Sequence, residues 1–103
     1  LLEVGCGVGN AIVPLLEINQ NLHIYAIDFA ISAIKILQQH PKVIETKRIF
    51  PSVCDVVKDS LPVEVGSMDL ILCMFVLSAI SPDVSRSSLV AEILLLLNYY
   101  FFS

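Results

Sequence analysis

Apolar positions along the chain alternate between short unbroken runs and helical spacing. Residues 1–4 are an apolar run, which predicts the end of a strand, and the turn after it carries Gly5, Gly7 and Gly9. From Ala11 the apolar residues Ile12, Leu15, Leu16 and Ile18 fall three or four apart. That predicts a helix with Asn10 as N-cap, Pro14 tolerated near the first turn and Asn19, Gln20 and Asn21 closing it. Residues 22–27 read as a second strand ending at Asp28. Ile31, Ile34, Lys35, Leu37 and Gln38 then form a second amphipathic helix, stopped at His40-Pro41 because proline disfavours helix in the residue before it. Residues 48–54 predict a third strand, and Pro51 inside it places that strand at a sheet edge, where a missing N–H costs little. Asp55 stands at its end. A polar connector over 59–67, with Pro62 and Gly66, leads to the most apolar run, 68–76, read as a strand buried on both faces. A loop over 78–82 and a last helix over 85–97 follow.

Strand and helix in alternation predict an α/β fold: a Rossmann-like parallel sheet of about four strands with flanking helices and right-handed crossovers, incomplete at its C-terminal strands. Every strand then delivers its C-terminal end to one edge, where Gly5, Asp28, Asp55 and Met74 gather. No repeat or linker divides the chain. It reads as one partial domain, a ligand-binding half over 1–83 and a divergent apolar tail over 84–103.

Composition changes this picture in one respect. The chain is 56% hydrophobic and 16% charged, unusually apolar for a unit of 103 residues, which makes it read as the core of something larger. Ten acidic against six basic residues give a net charge of −4 and no basic stripe, so a nucleic-acid partner is expected to be gripped by segments outside these residues. Lys42, Lys47 and Arg48 read as a solvated turn. Cys6, Cys54 and Cys73 are scattered, with no CxxC pair and no histidine at ligand spacing, which predicts small buried thiols in a reducing compartment and no metal. His23 and His40 have no evident partner. No leader pattern opens the chain, and the apolar tail is too short for a bilayer span; the expectation is a cytoplasmic protein without membrane contact.

The chemistry is concentrated in Glu3-Val4-Gly5-Cys6-Gly7-Val8-Gly9-Asn10. A dinucleotide fingerprint, GxGxxG, needs a glycine in the sixth place, where a pyrophosphate meets the helix N-terminus. Here that place is Asn10 and the glycines run GxGxG. Glu3, two residues before the first glycine, completes the acidic-x-GxGxG pattern that accommodates S-adenosylmethionine, a phosphate-free cation unopposed by carboxylates. Asp28, about 20 residues on, is placed to accept both ribose hydroxyls. Asp55 is placed for the adenine amino group, with the Val56 amide and the apolar Met74 and Phe75 around the purine; Phe29, next to Asp28, joins the cofactor set. Each feature also has a structural reading, the glycines as a plain turn and an aspartate as a helix cap. It is their succession at strand ends in the right order that favours the cofactor. Ser78 and Ser81 lack a GxSxG elbow and a positioned histidine, and no catalytic residue is assigned.

Four stretches, LLEVGCGVGN, PLLEINQNLHIYAIDF, VCDVVKD and FVLSAISPD, resemble the methyltransferase-like family that forms 3-methylcytidine in tRNA. The resemblance runs from Leu1 to about Asp83, and FVLSAISPD is its most specific part. It implies a class I methyltransferase fold, S-adenosylmethionine as methyl donor, a tRNA anticodon-loop cytidine as acceptor, and cofactor contacts at Gly5, Asp28, Asp55, Val56 and Met74. The chain departs from the family at Ala30-Ile31-Ser32, where Ser-Pro-Arg is usual, and at Ser81, where His precedes Pro-Asp. The Leu-Lys-Pro-Gly turn before a fifth strand is absent. Two rival readings follow from the same residues: a nicotinamide-dependent oxidoreductase fragment, which the glycine turn and Asp28 also suit, and an inactive piece that folds only in part.

Overall fold

The structure, a computed structural model, describes residues 1–73, 90–91 and 93–96. Four parallel strands form its frame: β1 (Leu2–Val4), β2 (Ile24–Asp28), β3 (Ile49–Val53) and β4 (Ile71–Leu72). Their order is β3-β2-β1-β4. The chain therefore steps outward from β1 to β3 and then crosses back to the far side of β1, so the direction of winding reverses between β1 and β4. Helix α1 (Ile12–Ile18) fills the crossing from β1 to β2, and α2 (Ile31–Gln38) and α3 (Pro41–Thr46) together fill the crossing from β2 to β3. The expected parallel α/β sheet is present.

Two cores lie on the two faces of this sheet. Ile24, Ala26 and Ile49 pack with Ile12 and Leu16 of α1, Ile34 and Leu37 of α2 and Val43 of α3. The opposite face joins Leu2, Val4 and Ile27 to Cys54, Leu61, Met68 and Leu96 from the connector and the tail segment. Because β1 is covered on both faces and flanked on both sides, all three of its residues are buried, Glu3 included. Tyr25 and Phe50, paired in register on the second face, stack with ring centroids 5.1 Å apart.

Pro51 sits where the sequence placed it. The bonds Ile24 N–H to Arg48 O and Cys54 N–H to Asp28 O show that even-numbered residues of β3 face β2. Pro51 is odd-numbered and faces the open edge, so its missing N–H breaks no ladder.

Several expectations are corrected. Ala11, not Asn10, is the N-cap of α1 and makes no side-chain cap bond; the helix opens instead with Val13 N–H on Gly9 O. His40-Pro41 ends α2 but also begins α3. The His40 side chain caps α3 by accepting from Lys42 N–H at 3.0 Å, and Pro41 occupies a first-turn position where no N–H is needed. Arg48 is not part of a solvated turn. Its guanidinium donates to the carbonyls of Leu16, Asn19 and Leu22 at 3.1–3.3 Å, placing a cation on the C-terminal end of α1. Among the described residues β4 is a half-exposed edge of this four-stranded sheet rather than the buried central strand expected over 68–76, since there only β1 pairs with it. Of the three cysteines, Cys6 and Cys54 are buried and Cys73 is half-buried. Residues 90–91 and 93–96 are helical, within the expected last helix, while Met74, Phe75, Ser78 and Ser81 lie outside the described residues.

Candidate functional site

The carboxyl ends of β1 and β2 carry the glycine turn and Asp28 side by side. The chain leaves β1 with Gly5 N–H and Cys6 N–H both donating to Ile27 O, at 2.8 and 3.0 Å, which holds the start of the turn against β2. Gly5, Gly7 and Gly9 all have positive φ, 76°, 56° and 90°, so the turn requires residues free of a Cβ penalty. The two later glycines are there for different reasons. A Cβ on Gly9 would lie 2.7 Å from Leu37 Cδ1 and 3.2 Å from Val13 Cγ2, so this position lets α2 close on the turn. A Cβ on Gly7 would meet nothing within 4 Å, which leaves open space beside the backbone at the sheet edge.

Asp28 ties the turn to β2. Its Oδ2 accepts from Gly7 N–H at 2.8 Å and its Oδ1 accepts from Ala30 N–H at 2.9 Å. The second bond satisfies the chain entering α2, whose N-cap Ala30 supplies no side-chain bond of its own. A carboxylate has about four acceptor sites, so two bonds leave capacity for a ligand's hydroxyls. Asp28 is half-buried, and the neighbouring Phe29 is 75% exposed.

Glu3 is the unusual group. It is only 5% exposed, and its Oε2 is buried without a hydrogen-bond partner. Burial pushes its carboxyl up from the ordinary 4.5 to about 7, because the charged form loses its water without gaining a donor. Cys6, 6% exposed, is pushed up to about 12 by burial first and then by the carboxylates of Asp28 and Glu3, so this thiol stays neutral and unreactive.

Asp55 lies just past the end of β3 in a different setting. Its Oδ1 accepts from Val57 N–H at 3.0 Å and its own N–H donates to Asp59 Oδ2 at 2.9 Å, forming a local turn. Val56 packs against the second core. Of the nine residues expected at the site, Glu3, Gly5, Gly7, Gly9 and Asp28 share the β1–β2 end, with Phe29 next to them. Asp55 and Val56 follow β3, and Met74 lies outside the described residues. The sequence reading missed Cys6, Ala30 and Leu37 as parts of the site's frame; Leu37 alone was signalled, as an apolar position of α2. Among the described residues no group of three His, Cys, Asp or Glu side chains is placed to hold a metal ion, and no helix is long and apolar enough to cross a membrane.

Residues 2–98 match the family described as Methyltransferase domain. The chain is 49% identical over 82 residues to the tRNA N(3)-methylcytidine methyltransferase of Schizosaccharomyces pombe, covering 78% of this chain and 33% of that protein. It is 45% identical over 85 residues to the Homo sapiens tRNA N(3)-cytidine methyltransferase METTL6, covering 81% of this chain and 30% of that one. The chain thus spans about a third of the length of these relatives. In fold it is similar to PKMT2 from Rickettsia typhi in complex with AdoHcy, with a TM-score of 0.75 at 22% identity over 94% of this chain and 18% of that one. The parallel sheet, its β3-β2-β1-β4 order, the acidic-x-GxGxG turn and the match over residues 2–98 agree: the chain belongs to the methyltransferase-domain family.

Proposed function

We propose that the β1–β2 end binds S-adenosylmethionine and that the activity this domain serves is methyl transfer to N3 of a tRNA cytidine. The observation that carries the cofactor reading is the bond from Gly7 N–H to Asp28 Oδ2, which fixes an open glycine backbone beside a strand-end carboxylate. The residues fit the cofactor in charge as well as shape. Glu3 offers an unpartnered buried oxygen to a cationic ligand, and Asp28 keeps acceptor capacity for the ribose hydroxyls. Gly9 and Leu37 shape the turn, and Gly5 starts it. Phe29 supplies an exposed apolar face, while Asp55, the Val56 amide and Met74 are proposed to attend the adenine.

When bound, the cofactor supplies a methyl group on a sulfonium, open to in-line displacement. The part left to this chain is to hold that donor in a fixed orientation. Cytosine N3 carries a free lone pair at neutral pH, so the acceptor needs no general base from these residues, only extraction of the base from its stack. The tRNA acceptor rests on the 49% identity to the fission yeast enzyme. With a net charge of −4, this domain leaves the gripping of RNA phosphates to other segments.

Calorimetric titration tests the cofactor reading. Micromolar binding of S-adenosylmethionine with none of NAD is expected; tight NAD binding without S-adenosylmethionine binding would sink it. For the acceptor, methyl-labelled cofactor and bulk tRNA are incubated with the full polypeptide and the nucleosides are separated. Label in 3-methylcytidine is expected, and label confined to any other nucleoside overturns that assignment.

A further inference from the structure

A carboxylate in the sealed middle strand of a sheet ordinarily has a donor beside it. Glu3 has none: its Oε2 is buried and unpartnered, and it is the one buried polar or charged residue among those described. Its register partners are Ala26 on β2 and Leu72 on β4, neither able to donate or titrate from its side chain. The inward positions of α1 and α2 are Ile12, Leu16, Ile34 and Leu37, all apolar. Among the described residues, the titratable groups nearby are the Cys6 thiol, which feels both Glu3 and Asp28, and the Asp28 carboxylate, and neither brings positive charge. Among the described residues, two carboxyls and no cation thus stand at the foot of the glycine turn.

Resting on the cofactor reading above, we propose that Glu3 holds a proton in the cofactor-free chain and releases it to solvent when a cationic ligand seats at the glycine turn, so that binding is a cation-for-proton exchange. The O–H bond of the Glu3 carboxyl breaks, the proton passes to water, and the positive charge of the ligand replaces it. The site then discriminates by charge: a cation gains the ionised Glu3 as counter-ion, whereas a phosphate-bearing ligand meets both Glu3 and Asp28. The direction of the carboxyl's displacement, upward to about 7, puts the exchange near neutral pH.

The test is titration calorimetry of the full chain with S-adenosylmethionine at several pH values, each in buffers of different ionisation enthalpy, which counts protons released. Release of about one proton is expected near pH 6, falling toward none above pH 8. Affinity should rise by roughly tenfold per pH unit below 7 and level off above it. 5′-Methylthioadenosine, which lacks both the sulfonium and the ammonium, should bind with no release. His23 and His40 lie before β2 and between α2 and α3, away from the carboxyl ends of β1 and β2, and H23N/H40N should leave the proton count unchanged. E3Q should bind with a flat pH profile and no release. Binding of S-adenosylmethionine without proton release, or equal release with methylthioadenosine, overturns the exchange while leaving the cofactor reading intact. No binding of S-adenosylmethionine at any pH overturns both.

Discussion

Asp28 and Asp55 are the same residue type at matching places, each at the carboxyl end of a strand in one parallel sheet, yet they do different work. Asp28 reaches across 21 residues to Gly7 N–H and so joins two loops that the chain brings together only by folding. Asp55 accepts from Val57 N–H, two residues on, and receives Asp59 from four residues on. One carboxylate belongs to the sheet edge as a whole, the other to its own turn. Position at a strand end therefore does not by itself tie an aspartate into the neighbouring turn; a bond to another strand's loop does.

The largest consequence is expected at Asp28. D28A removes the acceptor from Gly7 N–H and Ala30 N–H together, both part-buried. Hydrogen bonds to a charged group contribute about 1.5–3 kcal/mol each, so a loss of roughly 3–4 kcal/mol is expected in urea unfolding. The affinity for S-adenosylmethionine should fall by about 100-fold, the equivalent of two lost hydroxyl bonds. If D28A unfolds and binds as the parent does, the contrast with Asp55 collapses.

Glu3 adds a pH dependence to the same end of the sheet. Its carboxyl is raised from 4.5 to about 7, so its contribution to stability is fully present below pH 4.5 and is lost as pH rises through 7. The shift corresponds to roughly 3 kcal/mol. E3Q cannot ionise; its stability relative to the parent should improve by that order between pH 4.5 and 7.5, read from paired urea melts. A difference that stays constant over this range would show that Glu3 is ionised and partnered.

The glycines sharpen the comparison by separating frame from ligand surface. At Gly9, with φ 90° and a would-be Cβ 2.7 Å from Leu37 Cδ1, alanine is expected to cost about 2–3 kcal/mol of stability. At Gly7, with φ 56° and open space around the added carbon, G7A should cost about 1 kcal/mol. Its main effect should be weaker cofactor binding. Thermal melts and cofactor titrations of the two variants check this inversion.

Much of the frame was legible because it follows from period and spacing. Apolar runs marked β1 to β3, helical spacing marked α1 and α2, and Pro51 alone placed β3 at an edge. What stayed hidden depended on contacts between distant residues or on signals that coincide. His40-Pro41 ends one helix and starts the next, and a proline rule alone gives both answers, so α3 was missed. Arg48 read as solvated because its acceptors, the carbonyls of Leu16, Asn19 and Leu22, lie 26 to 32 residues away. Asp28 and Gly7 were both singled out, yet no spacing rule states that they bond. The missing partner of Glu3 was likewise invisible, since it depends on what α1, α2, β2 and β4 place around it.

The smallest effect is expected at Asp55, and it is the one that tests the comparison most directly. D55A removes one exposed side-chain bond, Oδ1 to Val57 N–H, while Cys54 next to it stays buried in the second core. An exposed N–H released by the change turns to water, so the cost should be at most about 1 kcal/mol. D55N keeps an acceptor oxygen for Val57 N–H and should recover most of that loss. If Asp55 also accepts from the adenine amino group, D55A should weaken S-adenosylmethionine binding by about tenfold, one hydrogen bond's worth, without a matching loss of stability. A drop in stability as large as that of D28A would mean that the β3 end is tied into the sheet edge as firmly as the β2 end, and the distinction between the two aspartates would fail.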